Sequence, residues 1–109
     1  MNAISITALL GEHLAVARTA SSGRSAHTVY GGSEHSLRQT LIALAAGRRL
    51  DEHENPGEAT LQVLHGRVRL DAGAASCEAA AGDMLVIPGS RHALEALEDA
   101  GILLTVAKR

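Results

Sequence analysis

The sequence predicts an all-β barrel or sandwich preceded by one short helix. Three observations carry this reading. From residue 26 onward, short β-prone runs succeed one another at close spacing, separated by Gly-centred turns. Two stretches share one grammar of Gly, β run, Pro and His: Gly47 to Gly66, GRRLDEHENPGEATLQVLHG, and Gly82 to His92, GDMLVIPGSRH. The chain of 109 residues suits one hydrophobic core and shows no linker, internal repeat or low-complexity run, so residues 1–109 form a single domain. The two stretches are expected to face each other across the barrel and to bring His53 and His92 together.

In chain order, Ile6, Leu9, Leu10, His13, Leu14, Val16 and Ala17 recur at three- and four-residue spacing. This predicts a short amphipathic helix over residues 5–17, N-capped by Ser5 or Thr7 and weakened by Gly11. Residues 19–25 are rich in Ser and Gly and read as a loop, so residues 1–24 are helix and loop and residues 26–109 are barrel. Ala26 to Tyr30 is β-prone and stops at Gly31-Gly32. Residues 36–46 hold a long strand, Leu37 to Leu44, with Leu37, Gln39, Leu41 and Ala43 on one face. Helix competes here because Leu, Arg, Gln and Ala favour it. Gly47 and the β punctuation after it decide for strand. Residues 67–72 and 75–80 form a hairpin about Gly73, and β runs follow at 84–88, 92–97 and 102–107.

Apolar residues make up 46% of the chain and aromatics 1%, Tyr30 being the only one. The core must therefore be Leu, Val, Ile and Ala. Alanine buries little area at roughly 25 cal/mol per Å², which points to further burial against a partner subunit. A net charge of −2 with scattered Lys and Arg gives no nucleic-acid footprint. The lone Cys77 cannot close an internal disulfide and fits a reducing compartment; it reads as a small strand residue, not a nucleophile. No stretch reaches membrane-spanning length and the N-terminus lacks a basic segment followed by a long apolar run. The expectation is a cytoplasmic protein with neither membrane nor nucleic-acid partner. There is no Gly-x-Ser-x-Gly elbow and no phosphate-binding glycine loop.

The two stretches resemble the motifs of the cupin family. The first cupin motif runs Gly, five residues, His, one residue, His, three or four residues, Glu, six residues, Gly; here Gly47, His53, Asn55, Ala59 and Gly66 stand at the shorter spacing. The second runs Gly, five residues, Pro, one residue, Gly, two residues, His, three residues, Asn. Here Gly82 and Pro88 are in place, Ser90 replaces Gly, His92 falls one residue early and Ala96 replaces Asn. The resemblance covers roughly residues 36–107 and implies a double-stranded β-helix, or jelly-roll barrel, whose mouth holds a metal or a small molecule. It also implies a homodimer paired through sheet edges.

The family's usual metal site has three His and one Glu. By the resemblance, His53 and His92 occupy two ligand positions, Asn55 stands for the second His and Ala59 for the Glu. Asn is a weak transition-metal ligand beside imidazole, and Ala has no donor. Glu58 is one residue from the carboxylate position, so strand alternation turns it away unless Pro56-Gly57 shifts the register. Gln39 could reach the interior from the preceding strand. Gln62 has the outer parity, opposite to Ala59, Leu61 and Val63, and His65 sits at the rim. The sharp expectation is a divalent metal, Fe, Mn, Ni, Cu or Zn, held by His53 and His92 with help from Asn55, Glu58 or Gln39. The plain one is a pair of mouth histidines bound to each other or to water.

Arg38 and Arg91 are the better candidates to grip an anion, since the guanidinium fork suits carboxylates. Arg48, Arg49, Glu52 and Glu54 read as solvated surface. His27, His35 and Tyr30 read as surface or dimer-edge residues. Arg38, Gln39, Leu61 and Val63 are the expected ligand-binding residues. Two functions follow: a barrel that binds a small molecule without a defined reaction, or a metal-dependent cupin enzyme of dioxygenase or isomerase type. A sensor subunit acting through a partner is a weaker third, as no DNA-binding helix is evident.

Overall fold

Strand alternation and glycine punctuation produce the expected succession of elements in the computed structural model. It describes residues 1–53 and 57–108, with residues 52 and 53 described in their backbone alone. The helix α1 (Ile6–Thr19) is followed by β1 (Arg24–Tyr30), β2 (Leu37–Leu44), β3 (Arg49–His53), β4 (Gly57–His65), β5 (Arg67–Ala72), β6 (Ala75–Ala80), β7 (Met84–Ile87), β8 (His92–Ala96) and β9 (Ala100–Lys108). Of the two candidate caps, Ser5 is the one used: its Oγ accepts from the Ala8 N–H at 3.1 Å. The segment that could have been helix, Leu37 to Leu44, is strand.

Two antiparallel sheets face each other. One has five strands in the order β1-β2-β9-β4-β7, the other four in the order β3-β8-β5-β6. The cross-strand register defines the inner rows. In the larger sheet Ile42, Ile102 and Val63 are neighbours, then Thr40, Leu104, Leu61 and Leu85, then Arg38, Val106, Ala59 and Ile87. In the smaller sheet Leu50, Leu94 and Leu70 form the facing row. These residues, joined by Val68, Ala79, Ala96 and Ala100, make one core cluster of aliphatic side chains.

Leu37, Gln39, Leu41 and Ala43 do share a face, but it is the outer one. The helix α1 packs there, with Leu10, Leu14 and Ala17 over Ala43. This corrects the expectation that Gln39 reaches the interior. Its Nε2 donates to Thr105 Oγ1 at 3.3 Å across the outer face. Gly101 is the direct cross-strand partner of Ala43 on β9, and a Cβ there would meet Leu10, so the missing side chain lets the helix settle onto the sheet.

A single carboxylate ties the far end of the helix to the barrel. Asp99 Oδ2 accepts from Arg18 Nε at 2.8 Å, and Oδ1 accepts from the Ala46 N–H at 2.8 Å. The Arg18 hydrogen bond, then the Ala46 one, lowers the Asp99 pKa below its ordinary value. A carboxylate depressed on folding contributes stability above its unfolded pKa, about 3.9, and loses it as pH falls through the lower folded value. Asp99→Asn should therefore be less stable than wild type at neutral pH, with the gap closing at pH 3, as urea midpoints at the two pH values will show. Gly66 is the second pinning point: its φ is +76° and a Cβ would collide with the Asp99 backbone carbonyl. Gly66→Ala should cost about 2 kcal/mol or more in chemical denaturation, since both strain and a backbone clash oppose it.

Candidate ligand site at the barrel mouth

The mouth is the end of the barrel where the row Arg38–Val106–Ala59–Ile87 meets the turn leading into β8. His92 opens β8 with its side chain inside; it is 2% exposed and is the buried polar residue of the core. Its Nδ1 lies 2.9 Å from the Ser90 carbonyl oxygen. A carbonyl can only accept, so Nδ1 carries a proton and donates to it. Ser90 was not singled out as a functional residue by its sequence; only the turn geometry makes its backbone the group that orients the ring.

A β-bulge aligns the opposite strand with this ring. Leu50 pairs with Leu94, yet His53 pairs with His92, so two residues of β3 stand against Ala93 alone. In a regular ladder, position 53 would fall opposite Arg91. The bulge sets the backbone at position 53 opposite His92. The His53 side chain and Asn55 lie outside the described residues, as does the separation of the two imidazoles.

The other expected residues are distributed as follows. Glu58 is exposed on the outer face of β4, paired with Ala107, while its neighbour Ala59 is buried on the inner face. Strand alternation thus puts a methyl group where the family's carboxylate stands and turns the carboxylate outward. Gln39 is outside, as described. Arg38 belongs to the mouth row by register and is exposed. Leu61 is buried and faces the same interior space as His92. Val63 lies deeper, fully buried in the core. Arg49, expected as plain surface, pairs with Glu95 at 3.2 Å and Asp71 at 3.4 Å.

One space adjoins His92, and a second shares Leu70 with it. An interior cavity of about 20 Å³ is lined by His92, by Leu50, Leu70 and Leu94 from one sheet and by Leu61, Ile87 and Leu104 from the other. It has room for one water, which needs about 10–15 Å³. A larger groove of about 280 Å³ runs between the edge strands β6 and β7, walled by Leu70, Ala72, Ala75, Cys77, Leu85 and Pro88. Leu70 lines both spaces. The sequence signal for Leu70 was its period-two spacing from Val68; that its strand edges a groove depends on the pairing of the sheets.

Whether these residues fit the family's metal is a question of donors. Among the described residues no group of three or more His, Cys, Asp or Glu could hold a metal ion. The interior about His92 is aliphatic, Ala59 offers no donor, and Glu58 and Gln39 are on the other face. The described donor set does not fit a closed three-His, one-Glu centre. An imidazole kept in an aliphatic core for function contributes little to folding. His92→Leu should leave unfolding free energy within about 1 kcal/mol of wild type in urea titrations; a loss of several kcal/mol would make the ring a structural element.

No family model matches the sequence, and no curated protein matches it. Solved structures do. A conserved protein of unknown function from Streptococcus pyogenes is 27% identical, with 83% of this chain and 78% of that one covered and a TM-score of 0.74. A cupin superfamily protein from Desulfitobacterium hafniense is 16% identical over 79% of this chain and 78% of its own, with a TM-score of 0.73. An RmlC-like cupin protein from Desulfovibrio desulfuricans is 26% identical over 77% and 81%, with a TM-score of 0.68.

Proposed function

Because this chain is a small barrel of the cupin type, we propose that it binds a small, largely apolar molecule at the barrel mouth and catalyses no defined reaction. The observation that supports this is a buried imidazole, hydrogen-bonded to the Ser90 carbonyl, in an aliphatic interior whose Leu70 also walls an apolar groove. The groove and cavity together sit at the small end of ligand sites, which run about 300–1,000 Å³. They suit a compact apolar body, with His92 as the polar anchor. Arg38, exposed in the mouth row, is placed to meet an anionic group at the rim. The lone Cys77, exposed on β6, suits a reducing cytoplasmic setting; recovery of the chain in an oxidising compartment would overturn that placement. No helix of the described residues is long and apolar enough to cross a membrane.

A second reading is favoured by one observation, the bulge that sets position 53 opposite His92. It is a divalent transition metal held by the two imidazoles, as in a metal-dependent cupin enzyme of dioxygenase or isomerase type. Two imidazoles with open positions bind a metal weakly but leave room for substrate.

One experiment separates the two. Thermal unfolding is followed with a panel of small apolar and weakly acidic compounds, and separately with Fe, Mn, Ni, Cu and Zn ions. A native-state ligand at 100 times its Kd stabilises by about 2.7 kcal/mol and raises the midpoint accordingly. The binding reading expects organic compounds to shift wild type and His92→Ala to abolish the shift, with metal content after dialysis remaining negligible. Stoichiometric metal lost in both His53→Ala and His92→Ala would establish the second reading, and a panel without any shift would sink the first.

A further inference from the structure

We infer that His13 of α1 and His27 of β1 form a site for one tetrahedrally coordinated divalent cation, of which zinc is the type, bridging the helix to the edge of the larger sheet. The inference is independent of what the barrel mouth binds. Ser25 and His27 stand two apart on β1 and so share a face. Their partners on β2 are Ala43 and Leu41, both fully buried, and α1 packs on Ala43. His13 follows Leu10 by three residues and precedes Ala17 by four, so it lies on the docked side of the helix. Docking brings its Nδ1 to 2.6 Å from Ser25 Oγ. It also sets the His13 and His27 ring centres 5.5 Å apart, with the ring planes inclined by 36°.

That separation suits one shared ion. A zinc–nitrogen bond of about 2.0–2.1 Å puts the ion about 3.2 Å from the centre of each ligating ring. Two such rings at the tetrahedral angle have centres about 5.2 Å apart, and at a right angle about 4.5 Å. The observed 5.5 Å matches the tetrahedral case and not the right angle of neighbouring ligands in a square-planar copper site. The Ser25 hydroxyl adds a second feature of metal-binding imidazoles. Such rings almost always give their other N–H to an oxygen, which fixes the tautomer and the ring orientation. With Nδ1–H donating to Ser25 Oγ, His13 Nε2 keeps its lone pair for the ion.

The place is open to solution. His13 and Ser25 are half-buried, His27 is exposed, and β1 is an edge strand. Water can fill the two remaining positions of the ion. Among the described residues no third His, Cys, Asp or Glu completes a metal group, so the ion exchanges with solution and dialysis removes it. One ligand is on the helix and the other on the strand, so both hold the ion only while α1 is docked. Binding therefore stabilises the docked helix. It fastens α1 near its middle, as the Arg18–Asp99 clasp does at its end.

The test is titration with zinc chloride of the wild-type chain and of the double variant His53→Ala/His92→Ala, which lacks the barrel-mouth imidazoles. Calorimetry gives the stoichiometry and affinity, and NMR of the imidazole C–H signals gives the place. Both chains should bind one zinc per chain at this site, with the His13 and His27 signals moving together, while magnesium moves neither. His13→Ala and His27→Ala should each weaken zinc binding at least about tenfold, and Ser25→Ala about tenfold through the lost orienting contact. Circular dichroism without metal checks each fold, and the exposed His27 gives a variant that leaves the helix contact of His13 intact. Absence of zinc binding, full affinity in His27→Ala, or movement confined to other histidines overturns the site. Binding that disappears in the double variant assigns the zinc to the barrel mouth and overturns it as well.

Discussion

Facing rows of Ile42, Ile102 and Val63 on one sheet and Leu50, Leu94 and Leu70 on the other hold this barrel together, with no Phe, Tyr or Trp side chain in the core cluster. Short aliphatic side chains let two sheets close onto each other, and close packing leaves little behind. What remains in the interior is about 20 Å³ beside His92. The aliphatic interior thereby limits function as well as stability. A ligand of useful size cannot enter the centre. More room, about 280 Å³, lies in the open slot between β6 and β7, walled in part by Leu70 and Leu85.

The same interior explains why one imidazole matters. A buried polar group requires a partner, and His92 has the Ser90 carbonyl. That bond gives Nδ1 the donor's role. The bulge in β3 is the second device at this end. It shifts one strand by one residue and changes which residue shares a row with His92. Bulges next to functional sites commonly re-aim a side chain in this way. Against these two features stand Ala59 and the outward Glu58, which remove the carboxylate from the interior. The described donors about His92 do not make up the family's set of three His and one Glu.

Outside the barrel, the two sheets are treated differently. The four-stranded sheet carries a lattice of Arg and acidic residues, in pairs that are exposed or half-buried. Part of the five-stranded sheet is covered by α1, fixed at its base through Leu10, Leu14 and Ala17 and at its end through the Arg18–Asp99 clasp. Farther along that face Leu41 is still fully buried, while Gln62, Met84 and Val86 are exposed.

Local chemistry in the sequence was sufficient for the elements themselves. Glycines with positive φ, among them Gly47, Gly66, Gly73 and Gly82, end strands where the chain must turn. Period-two alternation put Leu37, Gln39, Leu41 and Ala43 on one face and Leu61 with Val63 on the other side of Gln62, and Ser5 began the helix. Those signals are short-range, and a strand's alternation says which residues share a face without saying which face is inside. Only the tertiary structure decided that α1 packs on the Gln39 face, which sends Gln39 outward and Arg38 into the mouth row. Likewise, the two cupin-like stretches marked His53 and His92 from far apart in the chain, but a register depends on hydrogen bonds between strands. The single extra residue of the β3 bulge, invisible to any local pattern, sets those two positions opposite each other.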